Sequence, residues 1–211
     1  YYNSLMSIEI KKSIKPVKYL DAIKFLEDRV VEINKNKAEE LIWILEHPST
    51  FTAGTSSNKS DILDKSINII KTSRGGKITW HGPGQLICYL VINLNNRKRD
   101  IRKFINIIEN SIIVSLKSFG INSFSDRKNI GIWSKLENED KKIGAIGIKV
   151  RRWVAYHGFS ININNDISNY KKIVPCGIKD KGITSLKRIN NQNYNKLSQI
   201  IIKNLITNLK I

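Results

Sequence analysis

A chain of 211 residues, 41% of them hydrophobic and undivided by any Pro/Ser-rich linker, holds enough apolar material for one well-filled domain and excludes a disordered or fibrous polypeptide. Against 36 Lys and Arg stand 18 Asp and Glu, and the resulting +18 is spread along the chain, which predicts an acidic partner without choosing among nucleic acid, an anionic membrane and an acidic protein. No apolar run of about 18 residues and no signal peptide is present, and Cys88 and Cys176 lie far apart in sequence, so a reduced, cytoplasmic setting with two free thiols is expected.

In chain order, Tyr19, Ala22, Ile23, Leu26 and Val30 recur at helical spacing and predict an amphipathic helix over 17–33. Residues 41–45 form a continuous apolar run that ends at Glu46-His47-Pro48, the pattern of a buried strand entering a turn. Residues 51–61, rich in Thr, Ser, Gly and Asn, are expected to be an exposed loop, and 67–70 a further strand. The run 87–94 reads as a buried strand. Asp100 then caps a helix reaching Phe119, with Phe104, Ile105, Ile108, Ile112 and Leu116 inward and Gly120 as its stop. Strands follow at 121–124, 129–133, 143–148 and 154–163. The last reads as half-buried, because Tyr156, Gly158, Ser160 and Asn162 alternate with His157, Phe159, Ile161 and Ile163. A basic helix over 193–211, with Leu197, Ile201 and Leu205 inward, closes the chain. This order predicts an α+β fold on a mixed sheet, one domain over residues 6–211. Residues 1–5, which precede the only methionine, Met6, are set aside as a remnant.

The stretch 74–85 reads Arg-Gly-Gly-Lys-Ile-Thr-Trp-His-Gly-Pro-Gly-Gln. Four glycines and a proline in so short a span rule out an ordinary helix or central strand, leaving a ligand-binding loop or a tight packed turn. The interleaved donors Arg74, Thr79, His81 and Gln85 favour the binding loop. It is not a P-loop, since Gly76-Lys77 is followed by Ile78, and not a dinucleotide fingerprint, since Ile87 stands where a third glycine is needed.

Pro175-Cys176-Gly177 places a thiol where the backbone is stiff yet open, which suits an exposed nucleophile. Cys88, inside an apolar run, reads as a small buried hydrophobe. In the run Lys142-Ile143-Gly144-Ala145-Ile146-Gly147, small residues at alternate positions allow close approach of a ligand or another segment. Taken in isolation, Lys141 and Lys142 read as surface charges and His157 as a satisfied core histidine. His47, His81 and His157 lack zinc-site spacing, and a Cys-His hydrolase would have no evident acid partner.

Taken together, these stretches resemble the lipoyl(octanoyl) transferase family, which belongs with the biotin and lipoate protein ligases. The matching motifs are 74–85, Gly131-Ile132-Trp133, Lys142 to Gly147, His157-Gly158-Phe159-Ser160-Ile161-Asn162 and Pro175-Cys176-Gly177, with Glu46-His47-Pro48 and Thr52-Ala53-Gly54 ahead of them. They span nearly the whole chain in the family's order. Two positions depart from the pattern: Trp80 where tyrosine is expected, and Gly144 where alanine is common.

The resemblance implies a biotin/lipoate ligase-like α+β domain and a two-step acyl transfer without cofactor or metal. Cys176 would attack the thioester of octanoyl-acyl carrier protein, and a lysine of a lipoyl domain would then take the acyl group as an amide. Lipoyl domains of 2-oxoacid dehydrogenase complexes and the glycine cleavage H protein are the implied acceptors. Thioester exchange onto a thiol is nearly balanced in energy and amide formation from a thioester runs downhill, so ATP is not required. Lys142 would act on the Cys176 proton, either as an ammonium that favours the thiolate or as a general base. Arg74, Gly75, Gly76, Lys77, Ile78, Thr79, Trp80 and His81, with Ala145, Ile146 and Gly147 and with His157, Gly158, Phe159 and Ser160, would line the acyl channel and carbonyl site. A monomer with no membrane or specific nucleic-acid partner is expected. The competing expectations are an ATP-dependent lipoate or biotin ligase, which needs no cysteine nucleophile, and a basic nucleic-acid-binding module drawn by the charge.

Overall fold

The computed structural model describes residues 7–175 and 182–210, and its longest apolar runs form the middle of a seven-stranded sheet. The strands are β1 (Ile8–Lys12), β2 (Glu40–Leu45), β3 (Thr50–Ala53), β4 (Ile69–Lys71), β5 (Ile78–His81), β6 (Gln85–Asn93), β7 (Ser123–Ser125), β8 (Ile132–Leu136), β9 (Glu139–Arg151) and β10 (Val154–Asn162). The helices are α1 (Tyr19–Asn34), α2 (Ile101–Lys117), α3 (Leu186–Ile189) and α4 (Leu197–Leu209). The large sheet runs β1-β2-β6-β10-β9-β8-β7, with β1 parallel to β2 and the other neighbours antiparallel. A small sheet, β4-β3-β5, lies beside it. This is the mixed α+β architecture that the order of elements predicts.

Both faces of the central strands are covered, which is why β6 reads as an unbroken apolar run. Cys88, Leu90 and Ile92 face Phe104, Ile108, Ile112 and Leu116 of α2 and Leu197, Ile201 and Leu205 of α4. Ile87, Tyr89 and Val91 face Ala22, Leu26 and Val30 of α1. Each Val, Leu, Ile or Phe among them contributes about 1.5–3 kcal/mol on burial, and slipping β6 by one residue would exchange its two faces, so these contacts also fix the register. Burial pushes the Cys88 thiol far above its ordinary pKa, consistent with a packing role. At the start of α2 the Asp100 carboxylate accepts a hydrogen bond from the Lys103 N–H at 2.9 Å, and Gly120 past its end has φ +70°.

Three expectations are corrected. Residues 51–61 are not an exposed loop throughout: Thr50–Ala53 is strand β3, and Phe51, Thr52 and Asp61 are buried. β-branched and aromatic side chains outweigh the loop-like composition there because β5 and β4 pair on either side. Strand β10 is buried on both faces and not half-buried, since Val154 and Tyr156 pack with α1 while Ala155, Phe159 and Ile161 join the core beneath α2 and α4. Ile105 is not a core residue of α2; it is half-buried at the edge of a cavity.

Candidate functional site

The small sheet and the first turn of α2 stand off from β9 and β10 and leave a cavity of about 700 Å³. Strand alternation decides which side chains of β5 reach it. Thr79 and His81 line the cavity, whereas Ile78 and Trp80 pack on the opposite side with Phe51, Tyr170 and Ile173. Trp80 donates its indole N–H to Ser49 Oγ at 3.0 Å. Ile78 and Trp80 therefore do not line the cavity, contrary to the expectation, and the tryptophan leaves its wall unaltered. Arg74, Gly75, Gly76, Lys77, Ala145, Ile146, Gly147, His157, Gly158, Phe159, Ser160 and Lys142 do line it.

Arg74 is the cation of the cavity floor, only 9% exposed. Its Nη2 donates to the Thr52 carbonyl at 3.0 Å and to Thr52 Oγ1 at 2.8 Å, its Nη1 donates to the Gly75 carbonyl at 3.0 Å, and Nε has no partner among the described residues. No carboxylate there forms a salt bridge with it. A Cβ on Gly54 would lie 2.3 Å from the Gly76 carbonyl oxygen and 2.8 Å from Arg74 Nη1, so the Thr52-Ala53-Gly54 motif both holds the guanidinium and makes room for it.

Beside Arg74 the polar groups form fixed chains. His47 Nδ1 donates to the Val17 carbonyl at 2.6 Å, which leaves Nε2 to accept from the Tyr89 hydroxyl at 2.7 Å. His81 Nδ1 donates to Gln85 Oε1 at 2.8 Å, and Gln85 Nε2 donates to Asn162 Oδ1 and Tyr170 Oη, each at 2.9 Å. Tyr19 stacks on His81 with ring centroids 6.0 Å apart. Burial holds His47 below its ordinary pKa and, with the His47 ring adding to it, lowers His81 to about 3. Both imidazoles are neutral at neutral pH.

His157 is not the satisfied core histidine that its strand face suggests. It is 1% exposed and lines the cavity, yet neither ring nitrogen has a partner among the described residues. Its backbone sits at φ +70° in the middle of β10, a left-handed conformation costing on the order of 1–3 kcal/mol for a non-glycine residue. Burial, followed by the nearby Arg74 charge, lowers its pKa to about 3.

At the other end Lys142 is 5% exposed, not a surface charge. Its Nζ donates to the Ile130 carbonyl at 2.8 Å, lies 5.6 Å from the Trp133 ring centroid, and forms no salt bridge among the described residues. Between Ile130 and Trp133, Gly131 has φ +144°, and a Cβ on it would fall 2.3 Å from Lys142 Cε. The Gly131-Ile132-Trp133 motif is thus the seat of the lysine. Neighbouring Lys141 points elsewhere and pairs with Glu139. The backbone of Lys142 donates to the Gly182 carbonyl at 2.9 Å and accepts from Thr184 N–H at 3.0 Å, so the chain from Gly182 runs alongside β9. Cys176 lies outside the described residues.

Sequence reasoning missed Tyr19, Tyr89, Ile101, Ile105, Lys128 and Ile130 in the cavity lining. Tyr19 and Tyr89 sit within ordinary apolar patterns, and only the fold directs them to the site. Among the described residues no three His, Cys, Asp or Glu side chains gather as a metal site, and no helix is long and apolar enough to cross a membrane.

Residues 18–206 match the model of the lipoyl protein ligase A/B catalytic domain. The chain belongs to that family. Among its relatives, an octanoyltransferase of Ehrlichia chaffeensis is 44% identical over 184 residues, 86% of each chain. One from Anaplasma phagocytophilum is 44% identical over 186 residues, 87% of this chain and 89% of the other, and one from Novosphingobium aromaticivorans is 41% identical over 181 residues, 85% and 82%. In fold, this family member is similar to lipoate-protein ligase A bound with ATP, at a TM-score of 0.72 and 12% identity over 96% of this chain and 86% of the other. A bipartite lipoate protein ligase from Thermoplasma acidophilum gives 0.71 and 12% over 97% and 85%.

Proposed function

We propose that the chain is an acyltransferase of protein lipoylation that moves an octanoyl group from octanoyl-acyl carrier protein to a lysine of a lipoyl domain through a thioester on Cys176. The relatives at 41–44% identity named octanoyltransferase support the reaction. The observation that carries the site is Lys142: a buried amine at the wall of a cavity of about 700 Å³, held by a carbonyl and by no carboxylate among the described residues.

In the first step the Cys176 thiolate adds to the thioester carbonyl, and the tetrahedral oxyanion collapses with loss of the carrier's thiolate. In the second, the neutral amine of the acceptor lysine adds to the acyl-cysteine, and the Cys176 thiolate leaves as the amide forms and the nitrogen loses a proton. A free cysteine with a pKa of about 8.5 supplies only a few per cent thiolate at pH 7, so stabilising the anion matters. Each pKa unit by which a neighbouring ammonium lowers the thiol corresponds to about 1.4 kcal/mol. Lys142 either provides that charge or takes the proton itself. Backbone N–H groups of the Gly75–Gly76 and Gly147 segments, which line the cavity with Arg74, would serve as donors to the oxyanion on this reading.

The acceptors on this reading are lipoyl domains of 2-oxoacid dehydrogenase complexes and the glycine cleavage H protein, met in the cytoplasm by a monomeric, single-domain enzyme without cofactor. An ATP-dependent ligase is the alternative on the same fold, and the cysteine separates the two. Intact-mass measurement after mixing the protein with octanoyl-carrier protein should show one added octanoyl group, absent from Cys176→Ser. Transfer from octanoate and ATP to a lipoyl domain with no carrier protein present would overturn the reading.

A further inference from the structure

The exposed members of the cavity lining mark its mouth: Ser56, Gly76, Ile101, Lys128 and Ile130. Ile101 and Ile130 are 40% and 50% exposed, two of the few large apolar side chains left in solvent among the described residues. Apolar side chains with a polar rim are the anatomy of a contact surface.

The rim here is predominantly cationic. Arg102 follows Ile101 on the first turn of α2 and stands three residues before Ile105, so it borders the stripe that faces the cavity. Arg127 and Lys128 precede Ile130 between β7 and β8, and Lys77 lies on the lining from the β4–β5 side. Carboxylates in these segments are already engaged. Asp100 caps α2, and Asp126 accepts from Lys128 N–H and from Asn129 Nδ2, each at 2.9 Å. Among the described residues none of Lys77, Arg102, Arg127 and Lys128 forms a salt bridge, whereas lysines elsewhere do, as in Lys24–Asp28 and Lys35–Glu32. The Ile130 carbonyl is the group that holds Lys142, so a protein covering Ile130 sits one hydrogen bond from the reactive amine.

We infer that Ile101 and Ile130, ringed by Lys77, Arg102, Arg127 and Lys128, form the docking face for the acyl donor, an acidic protein that presents its acyl group as a thioester on a flexible arm. This rests on the proposed acyl transfer and adds to it where the donor binds. Cations that form no salt bridge among the described residues, set around a small apolar centre, favour a partner with the opposite pattern, and charges on a rim act chiefly on the rate of encounter and on its salt dependence.

The test is the loading of Cys176 with no acceptor present, followed by intact mass for the full chain and for an Arg102→Glu/Arg127→Glu variant; neither residue lines the cavity. Two donors are compared: octanoyl-carrier protein and the uncharged octanoyl-N-acetylcysteamine. The variant should load from the carrier protein about tenfold or more slowly, with a flatter salt dependence, while loading from the small thioester stays within about twofold. Arg102→Gln/Arg127→Gln should fall between wild type and the reversal. Unchanged loading from the carrier protein, or an equal fall with both donors, overturns the docking face while leaving the acyl transfer standing. If the wild type loads from neither donor, the acyl transfer falls and the docking face with it.

Discussion

Lys142 reaches the Ile130 carbonyl at 2.8 Å by passing over Gly131, whose missing side chain is the space the lysine occupies. Two motifs with eight residues between them in sequence are therefore one device: a glycine that clears a path and an amine that fills it.

Gly131→Ala should displace that amine. The added Cβ would lie 2.3 Å from Lys142 Cε and 2.7 Å from the Gly144 carbonyl oxygen, at a φ of +144°. A loss of about 1–3 kcal/mol of stability is expected from clash and backbone strain, with acyl transfer down about tenfold or more. Adding Lys142→Ala should restore part of the melting temperature without restoring turnover, because it removes one side of the clash. Wild-type turnover in Gly131→Ala would show that the position of the lysine is unimportant.

Trp80→Tyr tests the opposite side of β5. Since Trp80 packs against Tyr170 and bonds Ser49, away from the cavity, kcat/KM for octanoyl transfer should stay within about twofold while stability falls by about 1–3 kcal/mol as the core site loses volume. A changed preference for acyl chain length would place the residue in the acyl wall after all.

How much of this was open to sequence reasoning depends on how local each signal is. The period of α1, the Asp100 cap and the apolar run of β6 are local, and they predict their elements to within a few residues. Of the motif glycines, Gly75, Gly76, Gly147 and Gly158 line the cavity and Gly131 seats the lysine stem, whereas Gly82, Gly84 and Gly144 lie against Trp80, the 164–165 backbone and β10 instead. The burial of β10 on both faces was not legible, since alternation describes side-chain direction and not what covers each face. The φ of His157 and its lack of a hydrogen-bond partner among the described residues leave no trace in residue type. Ile105 satisfies a helical stripe yet is half-buried in the cavity lining with Ile101, one turn before it on α2, and periodicity does not tell a core face from a cavity wall.

Lys142→Arg separates the two roles proposed for the amine. A guanidinium keeps the charge and cannot take up the Cys176 proton near neutral pH, so a variant that loads Cys176 poorly would assign proton transfer to the lysine. Near-normal turnover would leave only the charge. Measuring loading and transfer separately by mass makes the two outcomes distinct.

The buried histidines make stability depend on acid in a defined direction. His81 and His157 have folded pKa values lowered to about 3 against an ordinary 6.5, so below pH 6.5 the unfolded chain binds protons that the folded chain refuses. Their stabilisation is whole above pH 6.5 and is lost as pH falls from there toward 3. Between pH 5.5 and 4 each contributes a slope of about 1.4 kcal/mol per pH unit. His157→Gln removes one titrating group, so denaturant unfolding of that variant should show a slope shallower by about that amount, measured as the difference between stabilities at pH 5.5 and 4.5. An unchanged slope would mean that the imidazole takes up its proton in the folded protein as readily as in the unfolded one, which a buried ring with no hydrogen-bond partner among the described residues and the Arg74 charge nearby does not allow.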